Sequence, residues 1–395
     1  QGMTTHSHVC GLLSETVVAY EVVTGTGNVL HVTRDDAQHA DLFRALPLSH
    51  GTLGFLVGLQ LRVVPAKAWV ELTYTPCRTF EAFRAGYTRV LDQAAREDPG
   101  TPFFVEGIAF GREEAVLMEG RLVDGDGSDG HAVNRIGWWF KPWFFKHVEA
   151  MLRQPEDSVT ELIPIRDYLM RHDRSMCMTM ATIIPYGNHP VFRFLLGWLL
   201  PPQMSFLKSN RNKETREMSI RKQCFQDVAF PARELGAALD VSDKLFGIYP
   251  LLVYPCKMRS DPGALLRAGP GAVALASSGG KHSWNLNLGI YGIPRELVQR
   301  PDELFPMVTR VRKLEAWLRS VGGFQHTYCD SFQTEEEFEA MFDHTLYDEM
   351  RGKYGASKVF PRVWEKTRPE MDWRGWLEEE REDAEDTGGP VVAGR

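Results

Sequence analysis

Cysteine is scarce in this chain and never spaced for pairing or for metal. Six occur in 395 residues (Cys10, Cys77, Cys177, Cys224, Cys256 and Cys329), with no C-x-x-C among them. The pattern offers neither a disulfide framework nor a zinc site and points to a reducing compartment. Positive charge is not in excess: 45 Lys and Arg stand against 52 Asp and Glu, a formal net charge of −7. Nucleic acid is therefore not an expected partner. No apolar run is long enough to span a bilayer as a helix. The nearest, 191–207, is interrupted by Arg193, Pro201 and Pro202. A G-x-G-x-x-G fingerprint in its strand–turn–helix context is also lacking. No internal repeat and no signal-peptide pattern is visible.

What is present suits two or three globular domains, with 43% hydrophobic and 25% charged residues. The aromatics, 11% with 10 Trp, suit a large apolar pocket or a membrane-facing surface. Residues 16–23 (TVVAYEVV) and 29–33 (VLHVT) read as two strands joined by the turn 24–28. A short helix over 36–45, capped by Asp35 or Asp36, follows. Residues 55–64 (FLVGLQLRVV) form a strand that ends at Pro65. Beyond it, strands are expected at 70–75, 103–110, 115–122, 247–254 and 284–291. Helices are expected at 80–96, 232–245 and 301–320. GDGSDG at 125–130 reads as a surface turn, and the acidic, then Gly-rich tail 367–395 as disordered.

Two glycine-bracketed loops stand out. Residues 1–11 (QGMTTHSHVCG) and 49–54 (SHGTLG) combine glycine with hydroxyl and imidazole side chains. Glycine permits close backbone approach, and the hydroxyls add donors, which suits a phosphate or a flavin ring. A third segment, 134–149 (NRIGWWFKPWFFKHVE), is dense in aromatics bracketed by Lys141 and Lys146. It suits the wall of a pocket for a flat apolar molecule, a packed core, or an anchor at a membrane surface. The apolar stretch 191–207, followed by the basic 208–222, suits either a membrane dock or a buried hairpin beside a solvated helix.

Taken with AYEVVTGTGNV (19–29), SHGTLGFLVGLQLRVVPAK (49–67) and PVFRFLLGWLLPPQMSFLK (190–208), these segments resemble the Δ24-sterol reductases and their plant Diminuto relatives. That family belongs to the FAD-binding superfamily of vanillyl-alcohol oxidase and p-cresol methylhydroxylase. The resemblance runs from Gly2 to about Lys366. It implies an α+β protein: residues 1–66 as the C-terminal part of a PCMH-type FAD-binding domain, 67–366 as a larger α/β substrate (cap) domain. It also implies a membrane anchor and a first FAD subdomain ahead of Gln1.

The implied activity is reduction of a C=C bond in a sterol's side chain, with FAD as cofactor, NADPH as electron donor and the endoplasmic reticulum membrane as location. Alternatives are another FAD-dependent oxidase or dehydrogenase of the superfamily, or a non-catalytic paralogue that binds sterol or membrane. The resemblance assigns Gly2, Thr5, Ser7, His8, Gly11, Gly51, Thr52, Leu53 and Gly54 to the flavin. It departs from the family at Thr4, Cys10, Thr179, Thr182 and Asn287. Glu21 reads as a buried structural carboxylate. Trp139, Trp143, Tyr249 and Tyr291 are expected to wall the sterol pocket. Alkene reduction needs a hydride on one carbon and a proton on the other. Tyr328 is the first candidate donor and His172 the second, with Asp173 or Asp330 as partner. No metal site is expected.

Overall fold

The computed structural model describes residues 2–125, 130–201, 213–259, 265 and 282–386. Two sheets organise it. The small one has strand order β2-β1-β3, from β1 (Val17–Val23), β2 (Val29–Thr33) and β3 (Phe55–Leu61). The large one has nine strands: β4 (Trp69–Cys77), β5 (Phe104–Ala109), β6 (Ala115–Val123), β7 (Ala132–Val133), β8 (Val159–Pro164), β9 (Cys224–Pro231), β10 (Leu251–Arg259), β11 (His282–Gly292) and β12 (Phe324–Gln325). Its order is β12-β9-β11-β10-β5-β6-β4-β8-β7, antiparallel except for the β7–β8 pair. The protein is thus mixed α/β with one dominant mixed sheet.

The hairpin β1–β2 forms as its β-branched residues predict. Its turn closes by Thr24 N–H donating to Asn28 O at 2.9 Å, with Gly27 at φ 87°. Several expected limits move. Asp36 is no helix cap: its Oδ1 accepts from the N–H groups of Gln38 (2.7 Å) and His39 (2.9 Å), and the helix begins only at Ala40. The strand expected at 247–254 starts at Leu251 and runs to Arg259. The helix expected at 301–320 is Met307–Val321; Pro306 disfavours helical geometry in the residue before it. Glu21 is exposed, lying over Gly58 of β3. The core of the turn at 125–130 lies outside the described residues.

The tail needs a correction. Trp373–Asp386 is a helix. Trp373 is buried with its ring 6.0 Å from that of Phe332. Glu380 caps the helix Met307–Val321, accepting from Val308 N–H (3.0 Å), Thr309 N–H (2.8 Å) and Thr309 Oγ1 (2.7 Å). Trp373, Trp376 and Leu377 recur at helical spacing beneath an acidic surface, and composition alone hid that stripe. The rest of the tail, 387–395, lies outside the described residues.

Two apolar clusters cover the large sheet. One joins the small sheet to β9–β11 and the C-terminal helices, so the expected boundary near 66 is crossed by a continuous core. The other joins β4–β6 to the segment 136–184. Along β10, Leu252 and Tyr254 pack with the second cluster, while Cys256 and Met258, of the same strand parity, pack with the first. One face of the sheet therefore carries a seam between the two, and polar side chains gather there.

Candidate active site on the face of the large sheet

The register fixes which residues share the seam. Asp227 of β9 lies opposite Gly289 of β11, Gly289 opposite Leu252 of β10, and Leu252 opposite Ile108 of β5. Opposed residues in antiparallel ladders point to one face, and so do residues two apart on a strand. Asp227, Asn287, Tyr291, Tyr254 and Glu106 thus share a face.

Asp227 is 4% exposed and has neutral partners. Its Oδ1 accepts from Tyr291 Oη (2.5 Å) and Asn287 Nδ2 (3.1 Å), and its Oδ2 from Tyr328 Oη (2.7 Å). A Cβ on Gly289 would stand 2.8 Å from the Tyr291 ring, so glycine there lets the ring lean back onto Asp227. No Lys, Arg or His forms an ion pair with Asp227 among the described residues. Burial raises its pKa above the ordinary carboxylate range, against the pull of its three hydrogen bonds. Burial, then the Asp227 charge, also raises Tyr291 and Tyr328.

The loop bearing Tyr328 is strapped to β9. His326 N–H donates to Asp227 O at 2.9 Å, and Asp227 N–H donates to Cys329 Sγ at 3.1 Å. His326 is buried and held neutral, its pKa lowered to about 3 by desolvation, and its Nε2 meets Asn287 Oδ1 at 2.8 Å. Beyond the loop, Glu315 accepts from Phe332 N–H (2.8 Å) and Ser331 Oγ (3.0 Å), with its pKa raised to about 7 by burial. Tyr328 itself is 64% exposed, so its hydroxyl is anchored while its ring faces outward.

Glu106 gives the seam a second carboxylate. Its Oε2 accepts from Arg171 Nε (2.9 Å) and Nη2 (2.8 Å), and its Oε1 meets His172 Nε2 at 2.7 Å. Burial pushes Glu106 up, but Arg171 and then His172 outweigh it and hold it at about 2. The guanidinium carbon of Arg171 also lies 4.2 Å from the Tyr168 ring centroid. Tyr254 feels both sites: burial first, then Asp227 and Glu106, push its hydroxyl up.

Of the expected catalytic residues, Tyr328 reaches the seam, where it bonds to Asp227. Asp330 pairs with Arg216 at 2.5 Å. His172 is tied to Glu106 rather than to Asp173 or Asp330. The four expected pocket residues do not converge. Trp143 is 2% exposed and packs in the core with Phe144 and Phe145, Trp139 is 45% exposed, and Tyr249 packs on the other cluster from Tyr291. The aromatic block thus divides into core and surface, because helix Phe144–Met151 turns Phe144, Phe145 and Val148 onto β4 and β6. Asp227 and Glu106 were not singled out from sequence. Each is the lone acid inside an apolar strand, FQDVAF and FVEGIA, and an acid buried that way needs partners.

For a flavin, the fit is divided. The first loop folds against the entry to β5: Thr5 O accepts from Val105 N–H (2.7 Å), Ser7 Oγ accepts from Thr4 N–H (2.8 Å), and His8 Nε2 donates to Pro102 O (2.8 Å). His8 is buried and neutral, lowered to about 4 by desolvation, so its Nδ1 is a bare acceptor with no partner. Gly2 and Gly11 take left-handed φ of 63° and 77°. The side chains of the second turn are committed elsewhere. Thr52 Oγ1 donates to Ser49 O (2.6 Å) and meets Tyr347 Oη (2.6 Å), and Leu53 is buried. A Cβ on Gly54 would meet Val22 Cγ1 at 2.5 Å, so this glycine serves strand packing. Only Gly51 is open, a Cβ there meeting nothing nearer than Lys366 Nζ at 3.6 Å. The turn does lie beside the Tyr328 loop, through contact of His50 Nε2 with Thr327 Oγ1.

Fold and site define a class: a mixed α/β protein with a buried carboxylate–tyrosine cluster at a seam in its main sheet. No family model matches the sequence. Comparison with curated proteins is more specific. The sequence is 36% identical to a Delta(24)-sterol reductase from Homo sapiens over 365 residues, 92% of this chain and 66% of that protein. It is 32% identical to the Delta(24)-sterol reductase homolog dhcr-24 of Caenorhabditis elegans over 373 residues, 92% of this chain and 67% of that protein. A stretch of 56 residues is 46% identical to D-arabinono-1,4-lactone oxidase from Candida glabrata, covering 14% of this chain and 10% of that protein. The chain belongs to the Delta(24)-sterol reductase family, and it spans about two thirds of the length of the relatives it matches.

Proposed function

We propose that this protein carries the substrate and proton-delivery parts of an oxidoreductase that reduces a C=C bond in the side chain of a sterol, with FAD as its flavin and NADPH as electron donor. The observation that carries this reading is Tyr328: an outward-facing phenol whose hydroxyl is bonded at 2.7 Å to a buried carboxyl group that makes no ion pair among the described residues. A neutral donor of this kind suits protonation of an apolar alkene, where a charged donor would be costly to desolvate. Reduced flavin supplies the hydride. Residues 1–66 would form its side of the molecule, with the open backbone of Gly51 available to it, and residues 67–366 the substrate side.

A membrane-borne substrate fits an exposed apolar surface of the protein. Trp138, Trp139, Ile183, Phe194, Leu195 and Trp198 all face outward. Arg193 binds the two halves of this surface together by donating to Phe140 O (2.7 Å) and Asn188 O (2.9 Å). We read it as a dock on the endoplasmic reticulum membrane. The basic stretch behind it contributes less than its composition implies: Arg216 and Arg221 are paired with Asp330 and Glu379. Residues 208–212 lie outside the described residues, and no described helix is long and apolar enough to cross a membrane.

The test is Tyr328→Phe in the cofactor-loaded enzyme, followed by rapid kinetics. Reduction of the flavin by NADPH should be unchanged. The half-reaction with sterol should slow on the order of a hundredfold, the usual worth of a general acid. An unchanged sterol half-reaction removes Tyr328 from the chemistry.

A further inference from the structure

We propose that Asp227 is the proton reservoir for Tyr328, giving a proton to Tyr328 Oη as Tyr328 gives its own to the alkene. The inference rests on Tyr328 as the donor. Its starting point is a direction. Tyr328 O–H donates to Asp227 Oδ2, so its proton points into the protein. It can turn outward only when that oxygen becomes a donor in its turn.

The two oxygens of Asp227 are not equivalent. Tyr291 and Asn287 both donate to Oδ1, and Tyr328 donates to Oδ2. Oδ1 is saturated by its two donors, so a proton on the carboxyl belongs on Oδ2, aimed at Tyr328 Oη. The bond between the two groups then reverses, and the phenol proton faces the open side on which Tyr328 is exposed.

The surroundings keep the carboxyl protonatable. Around it are Tyr291 and Asn287 from β11, Tyr254 from β10, His326, Tyr328 and Cys329 from the Tyr328 loop, and Cys177. Arg171 is bound to Glu106 and Arg216 to Asp330. His326 is neutral and bonded to Asn287. A buried carboxylate whose only partners are neutral donors favours its acid form.

The step balances. The Tyr328 O–H bond breaks and a C–H bond forms on the alkene carbon, the other carbon receiving hydride from the reduced flavin of the proposed reaction. The Asp227 Oδ2–H bond breaks, and a new O–H bond forms on Tyr328. Asp227 ends as a carboxylate and regains its proton from solvent.

Activity then requires the acid form of Asp227, so the rate of sterol reduction should fall as pH rises through its pKa. Asp227→Asn should slow the sterol half-reaction on the order of tenfold or more and remove that limb. Tyr291→Phe takes a donor from the carboxylate, so the same limb should move to higher pH. The double variant Asp227→Asn, Tyr328→Phe should be no slower than Tyr328→Phe alone, because residues acting as one unit do not add. Infrared difference spectra of the protein without cofactor supply an independent readout. A neutral carboxyl stretch should persist where ordinary carboxylates are ionised, and Asp227→Asn should remove its Asp227 component while leaving that of buried Glu315.

A wild-type pH limb in Asp227→Asn, additive losses in the double variant, or no Asp227 component in the carboxyl signal overturns the proposal. If Asp227→Asn does not fold, the Tyr291→Phe limb decides: a limb that stays in place overturns it. Loss of effect in Tyr328→Phe sinks the donor reading itself. Loss of effect in Asp227→Asn with Tyr328→Phe still slow sinks only the reservoir.

Discussion

Glu106 stands on β5 and Asp227 on β9, with β11 and β10 between them on one sheet face. Their exposures are nearly equal, 2% and 4%. Burial acts on both in the same direction, yet Glu106 is held at about 2 and Asp227 is raised. The difference lies in the partners. Glu106 has a guanidinium gripping one oxygen and an imidazole on the other, whereas Asp227 has two phenols and an amide. A buried acid beside cations is a fixed charge that organises structure. A buried acid beside neutral donors can trade its proton, and that makes it useful in chemistry.

The comparison can be broken most severely at Glu106. Glu106→Gln leaves the Arg171 guanidinium buried without its counter-charge, and should cost about 3–5 kcal/mol of stability in urea unfolding. A loss below about 1 kcal/mol would mean that the pair is not what holds this region. Tyr328→Phe should instead spare stability, losing about 1 kcal/mol for one hydrogen bond, while slowing sterol reduction as stated above. Asp227→Asn should change stability at neutral pH by less than Glu106→Gln does, because no buried cation is left exposed by it.

The pH dependence of stability sharpens the contrast, since the signs are opposite. Glu106 titrates below its unfolded value, so its stabilisation is present above about pH 4.5 and is lost as pH falls toward 2. Asp227 titrates above its unfolded value, so its contribution is greatest in acid and is lost as pH rises through its folded pKa. Unfolding followed against pH should show Glu106→Gln removing an acid-side loss and Asp227→Asn removing a decline on the higher-pH side. Variants with parallel profiles would erase the distinction.

The smallest expected effect on stability lies outside the seam. Phe194 and Trp198 are 69% and 65% exposed. Changing both to Ser should alter stability by about 0.5 kcal/mol or less per site and still reduce binding to lipid vesicles. A large loss of stability, with vesicle binding intact in the folded fraction, would make this surface core instead of dock.

Local pattern was a good guide where neighbours in sequence settle the outcome. The hairpin β1–β2 and the helix Phe80–Ala95 follow from local pattern, β-branched runs with a glycine turn for the first and apolar spacing for the second; the structure adds Thr79 as the helix cap. Pattern failed where distant groups decide. Asp36 looked like a cap and makes a turn. The tail looked too acidic to fold, and Glu380 is recruited to cap a helix 72 residues away in sequence. The requirement for glycine at Gly54 comes from room for Val22 on a neighbouring strand, which sequence does not reveal.

The site divides in the same way. Sequence by itself determined the family, the candidacy of Tyr328 and the richness of aromatic surface, because side-chain chemistry and motif order are properties of the polypeptide alone. Only the tertiary structure decided that Tyr328 answers to Asp227 and not to its neighbour Asp330, that His172 serves Glu106, and that Trp143 is core while Trp139 is not. Partnership and burial depend on which strands lie side by side. Asp227 and Tyr328 are 101 residues apart in sequence and 2.7 Å apart in space.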